Sequence, residues 1–182
     1  MQKDTQGTKG QFRLECFRFN KKTHRLAYKL LKFFGLKNLA LDVREKYSIK
    51  KWDTGFMSNL ITSAGKAQLA LLAGDASATP FTYLELGTSS TAVNVSQTAL
   101  QAAITDSGLA RAAATVSRVT TTVMNDTLQL VYEWTVSGTK AIEEIGIFNA
   151  SSAGTMLGRA LTTTKSVVSG DSLEATYKVI FA

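Results

Sequence analysis

The chain has 182 residues, 45% apolar and 19% charged, with a formal net charge of +7. That is a globular composition with enough chain to bury a core, and it excludes a disordered or Pro-rich linker. One cysteine and one histidine exclude a disulfide framework, a Cys-rich zinc site and most imidazole chemistry. No apolar run reaches the ~18 residues of a membrane span, and Met1 to Gly10 is too polar to be a signal core for export.

The charge divides the chain. Residues 1–60 hold 14 Lys/Arg and 5 Asp/Glu, whereas residues 61–182 hold 7 and 9. Two compositions therefore meet near residue 60, the first basic and aromatic, the second nearly neutral and rich in Ala, Thr, Ser and Val. A basic segment wants acidic protein, nucleic acid or a lipid surface around it.

Residues 1–10 read as a polar tail and Phe12 to Phe19 as a strand with untidy alternation. Arg25 to Phe34 is spaced as a helix: Leu26, Leu30 and Phe33, with Ala27, Leu31 and Phe34, form an apolar face. Arg25, Lys29 and Lys32 line another, and Gly35 stops it. Residues 39–51 switch to period two and predict a strand. From residue 56 on, Leu60, Ala64, Ala67 and Leu71 predict a helix ending at Gly74, and Phe81 to Gly87 a strand. Ser96 is placed to cap a second short helix reaching Ile104. Strands then follow in quick succession: Ala114 to Val123, Leu128 to Val136, Ile142 to Phe148, Met156 to Thr164, and Leu173 to Phe181, with turns at Asn125-Asp126, Ser137-Gly138 and Ser169-Gly170-Asp171. Short strands at this spacing predict a mainly β fold, an antiparallel β-sandwich or barrel with two short helices. The expected division is a basic N-terminal α/β arm over residues 1–55 (helix about 25–34, strand about 39–51) and a β-sandwich-like domain over residues 56–182.

Few residues suit chemistry. His24 has no second imidazole and Cys16 no base partner, so a solvated ring and a small buried side chain are the expected roles. Glu143 and Glu144 are strand neighbours that point to opposite faces, so they read as edge or interface charges rather than a catalytic pair. Asp171 reads as turn chemistry. No phosphate-loop glycine pattern is present. No catalytic residue, cofactor or metal site is expected.

The order Asn59-Leu60-Ile61-Thr62, Ala64-Gly65, Tyr83-Leu84-Glu85-Leu86-Gly87-Thr88, Glu144-Ile145-Gly146-Ile147-Phe148-Asn149 and Ser169-Gly170-Asp171-Ser172-Leu173 resembles tailed-bacteriophage virion structural proteins. These are of the tail-fibre, baseplate or head-decoration type, and the resemblance covers about residues 56–182. It implies a non-enzymatic protein of the virion, made in the host bacterial cytoplasm, and leaves tail and head placement both open. The expected partners are other virion proteins with acidic capsid, portal or tail surfaces, and further copies of the chain in a homo-oligomer; nucleic acid is a lesser alternative. The expected docking residues are Arg25, Lys29, Leu30, Lys32 and Phe33, with the helix's apolar face on its own protein and its cations towards the partner.

Overall fold

The computed structural model describes residues 7–181, which form ten strands and three helices. The expected polar tail falls mostly on residues 1–6, outside the described residues. In chain order the elements are β1 (Lys9–Phe19), α1 (Lys22–Phe33), α2 (Lys37–Tyr47), β2 (Ser48–Asp53), β3 (Met57–Ile61), α3 (Ser63–Gly74), β4 (Tyr83–Gly87), β5 (Ala112–Ala113), β6 (Thr115–Val119), β7 (Thr127–Thr135), β8 (Lys140–Phe148), β9 (Met156–Val167) and β10 (Asp171–Ile180). Every strand pairing is antiparallel.

Two sheets enclose the core, and two corner strands join them. The first sheet runs β2–β1–β10–β7–β6; the second runs β5–β4–β8–β9. β3 turns one corner: Met57 to Asn59 pair with β1, while Leu60 and Ile61 pair with β9. The other corner is the step from β5 to β6. Ala112 and Ala113 pair with β4, Thr115 to Val119 pair with β7, and between them the Ala114 N–H donates to the Thr82 carbonyl at 2.8 Å. The sheet thus closes nearly into a barrel, as its alternating strands predict. Trp52 spans the remaining seam, its indole N–H donating to the Ser166 carbonyl at 3.0 Å.

One apolar cluster fills the interior. Phe12, Leu14 and Cys16 of β1 meet Leu130 and Trp134 of β7, Leu173, Ala175 and Tyr177 of β10, and Leu84, Leu86, Ile145 and Ile147 from the second sheet. The faces of Trp134 and Tyr177 share this core as expected, with Tyr132 packed at its border. Phe181, expected with them, lies beyond the end of β10 and is exposed.

The division expected at residue 55 does not separate two folding units. β1 lies inside the first sheet, paired along its length with β10 on one side and with β3 and then β2 on the other. Its untidy alternation has a simple cause: both faces are covered. Phe12, Leu14 and Cys16 point into the core, while Phe17 and Phe19 lie under the helices on the outer face. The unit that stands apart from the core is the segment 20–47. Phe19 pairs with Ser48, and the Asn20 N–H donates to the Tyr47 carbonyl at 2.9 Å. The helical pair is therefore inserted at the tip of a β1–β2 hairpin.

Two further expectations need correction. The predicted strand at 39–51 is helical from Lys37 to Tyr47 and extended only from Ser48. There Ala40 faces α1 in a small cluster with Tyr28, Leu31 and Val43. An apolar period of two over a short run cannot be told from helical spacing once a partner helix is present. The helix expected after Ser96 is absent; residues 88–111 form an irregular segment instead. Ser96 serves an Asx turn, its N–H donating to Asn94 Oδ1 at 2.9 Å. Buried Glu144 and Arg159 fasten this segment: Arg159 Nε meets Glu144 at 2.6 Å, and Arg159 Nη1 donates to the Thr91 carbonyl at 2.8 Å. Glu144 accepts from the Ala102 N–H at 2.7 Å. Glu144 is therefore an internal anchor, not the edge or interface charge expected of it.

The predicted helix ending at Gly74 is α3. Thr62 caps it, accepting from the Gly65 N–H at 2.9 Å and donating to the Met156 carbonyl at 2.6 Å. Gly65 is required there: a Cβ would come within 2.2 Å of the Leu157 carbonyl oxygen.

The outer face of the first sheet carries an unusual row. Glu15, Glu174 and Glu133 stand directly opposite one another on β1, β10 and β7. Like charges so placed destabilise a sheet, and here cations from residues 32–50 cover them. Lys50 meets Glu15 at 2.8 Å, Arg44 meets Glu174 at 3.6 Å, and Lys32 meets Glu133 at 2.8 Å. Burial holds the Glu174 carboxyl above the usual glutamate range; Arg44 pulls it down, while Glu133 and Glu15 push it up.

Trp134 is buried in the core, so Trp134→Ala should cost about 3–5 kcal/mol in urea unfolding; a loss under about half a kcal/mol would contradict the core assignment. Arg44→Ala leaves a half-buried carboxylate uncompensated and should cost about 1–3 kcal/mol, whereas Glu174→Gln should change stability by less than about 1 kcal/mol. A carboxyl raised in the folded state contributes stability that is present below its unfolded value of about 4.3 and lost as pH rises through the folded value. Stability curves should therefore show Glu174→Gln gaining on the wild type as pH rises from about 4 to 7.

Candidate docking hairpin

The helical pair α1–α2 lies over the glutamate row and presents a run of exposed large apolar side chains from Leu26 to Leu41. α1 starts at Lys22, earlier than its spacing predicts. It ends in a Schellman turn: Gly35, at φ +73°, donates to the Lys32 carbonyl at 3.1 Å, and the Leu36 N–H to the Leu31 carbonyl at 2.9 Å. The turn into α2 is thereby held by backbone bonds.

The two faces of α1 are exchanged relative to expectation. The side that meets the sheet is polar. Tyr28, its single buried residue, donates its hydroxyl to Glu133 at 2.8 Å, and Lys32 donates to the same oxygen at 2.8 Å. Burial, then Glu133, push the Tyr28 phenol above its ordinary range. Lys29 donates to Thr135 Oγ1, and Arg25 to the Gly170 carbonyl at 3.1 Å. The side that faces away is apolar: Leu26 is 60% exposed, Leu30 48%, Phe33 83% and Phe34 69%, and Leu36 and Leu39 are about half exposed. Of the expected docking residues, Leu30 and Phe33 are thus on the free face. Arg25, Lys29 and Lys32 are engaged by the sheet. Leu26, Phe34 and Leu36 belong to the free face too; their helical spacing was readable, but it signalled a core side.

Further contacts fix the hairpin. The Arg44 guanidinium stacks 4.5 Å from the Phe17 ring centre, and His24 stacks on Tyr47 at 4.2 Å. Arg18 and Lys51 meet the buried Asp171 at 2.7 and 3.0 Å. Burial raises the Asp171 carboxyl, but Arg18, the Val168 N–H and Lys51 outweigh it and leave it below its ordinary value. Asp171 is therefore a turn residue, as its sequence context predicts, and an anchor for β1 and β2 as well. An open cleft of about 790 Å³ lies beside α1, lined by Lys29, Lys32, Lys37, Glu133 and Thr135.

The lone cysteine stands apart from the hairpin, whereas His24 belongs to α1 and is half-buried against Tyr47 rather than the solvated ring expected. Cys16 is buried in the core as expected, and its thiol is pushed up to about 12 by burial and then by Asp171. A thiol so held is protonated at neutral pH and a poor nucleophile. Among the described residues, no three His, Cys, Asp or Glu side chains converge to hold a metal ion, and no helix is long and apolar enough to cross a membrane.

Comparison with known proteins adds one finding. No curated protein matches the sequence. A family model described as podophage GP4 fiber I protein gp80 matches residues 59–180. The match starts within β3 and runs to the last residue of β10, so it covers every strand except β1 and β2. It contains the phage-like motifs at Asn59–Gly65, Tyr83–Thr88 and Glu144–Asn149. By this match the chain belongs to the podophage fibre I protein family, a family of phage virion structural proteins.

Proposed function

We propose that this chain is a non-enzymatic structural subunit of a phage fibre or of the tail part that carries it, attached to another virion protein through its N-terminal α1–α2 hairpin. The observation that carries this reading is the hairpin itself. It is inserted between two paired strands, contributes nothing to the main core, and turns Leu26, Leu30, Phe33 and Phe34 to solvent. Contiguous exposed apolar side chains mark interaction surfaces. The nearly closed sheet is the complementary part: it leaves few open strand edges, so it serves as a rigid displayed body. Such a protein acts by surface complementarity, and the buried, protonated thiol of Cys16 is consistent with that.

The register of β1 and β2 provides a clean test. Residues 20–47 can be replaced by an Asn-Gly turn, because Phe19 already pairs with Ser48. The shortened chain should keep its β circular dichroism and a cooperative, somewhat less stable unfolding, since the glutamate row loses two of its cations. Supplied to a phage lacking the gene, it should be absent from purified particles. Mass spectrometry of separated heads and tails should find the wild-type chain with the tails. Recovery with heads alone, or normal incorporation of the shortened chain, would refute the reading.

A further inference from the structure

The charges around the exposed face of α1 say what covers it. Residues 20–38 contain Lys21, Lys22, Arg25, Lys29, Lys32 and Lys37 and no acid. Three of these are bonded to the chain's own surface, Arg25 to Gly170, Lys29 to Thr135 and Lys32 to Glu133. Lys21, Lys22 and Lys37 are exposed and make no side-chain hydrogen bond or ion pair among the described residues. They stand at the two ends of the apolar row, Lys21 and Lys22 where α1 begins and Lys37 just past the Gly35 turn. Leu26, Leu30 and Phe33 recur at i, i+4 and i+7, the spacing by which a helix seats in an apolar groove. Phe34 and Leu36 extend the row around a turn whose shape the Schellman bonds fix.

Resting on the structural-subunit reading above, we propose that the row Leu26–Leu30–Phe33, with Phe34 and Leu36, seats in an apolar groove of another virion protein whose rim carries carboxylates facing Lys21, Lys22 and Lys37. A second copy of this chain fits less well, because a symmetric contact would set the same uncompensated lysines against one another. A lipid surface also fits less well. An interfacial helix needs cations beside its apolar face, whereas Arg25, Lys29 and Lys32 are turned to the protein's own sheet. The apolar row supplies the area of contact, and the lysines at its ends supply register and attraction.

The test uses the full chain in infected cells: a phage lacking the gene is complemented with each variant, and copies per particle are counted by quantitative mass spectrometry. Leu30→Asp with Phe33→Asp changes two exposed side chains, so the double variant should be soluble and melt with the wild type. It should nevertheless be incorporated at least about tenfold less, as expected for loss of buried anchors. Lys22→Glu with Lys37→Glu should lower incorporation less, from a few-fold to about tenfold. Normal incorporation of the Leu30/Phe33 variant, or no effect of the Lys22/Lys37 reversal, would overturn the proposal while leaving the subunit reading intact. Absence of the wild-type chain from particles would instead overturn the subunit reading itself. Two further results would reassign the face: a wild-type dimer in light scattering that the Leu30/Phe33 variant abolishes, or flotation with phosphatidylglycerol vesicles that the same variant abolishes.

Discussion

Three carboxylates set side by side on adjacent strands are the constraint around which the N-terminal part of this protein is arranged. Glu15, Glu174 and Glu133 occupy facing positions on β1, β10 and β7, where their mutual repulsion would weaken the sheet. Lys50, Arg44 and Lys32 answer them from β2, α2 and α1, and Arg13 of β1 adds a second cation on Glu15. Part of the basic charge in the first third of the chain is thus counter-charge for the sheet it folds onto. Its charge is not simply stored for a partner.

That neutralisation also sets the orientation of the hairpin. A helix with one apolar and one basic side lays its apolar side on its own protein when the surface below is apolar. Here the surface below is acidic, so Tyr28, Lys29 and Lys32 turn inward and Leu26, Leu30 and Phe33 turn out. Only a small cluster of Phe19, Tyr28 and Ala40, bordered by Leu31 and Val43, gives the hairpin apolar contact with the body. An exposed apolar face follows from the electrostatics beneath it.

The body has a different logic. The family match begins in β3, yet the sheet it covers is completed by β1, which brings Phe12, Leu14 and Cys16 into the core. The two corners, at β3 and at the β5–β6 step, let two sheets share strands and leave little open edge. The long segment between β4 and β5 is fastened from below by the Glu144–Arg159 pair, which holds the Thr91 carbonyl, the Gln97 side chain and the N–H groups of Gln101 and Ala102. The desolvation cost of such a buried pair offsets much of its attraction, and its hydrogen bonds fix where the segment lies.

The β body is legible in local chemistry. Strict alternation in Leu128–Val136 and Leu173–Val179, turn residues at Asn125-Asp126 and Ser169-Gly170-Asp171, and the stop at Gly74 depend on local chemistry, and each appears where that chemistry places it. The phage-like motifs are local as well: Thr62 and Gly65 cap and seat one helix, and Glu144 anchors one loop. The tertiary structure alone decided the rest. Residues 39–47 became helical because α1 offers a partner for Ala40 and Val43. Residues 96–104 stayed irregular because Glu144 takes the N–H groups of Gln101 and Ala102. β1 joined the body because β10 and β3 needed a strand between them. Which side of α1 faces out is decided by charge on β1, β7 and β10, and Glu133, which takes the Tyr28 hydroxyl, lies 105 residues from it in sequence. Periodicity within one helix records that two sides differ; only the surface beneath the helix decides which of them is buried.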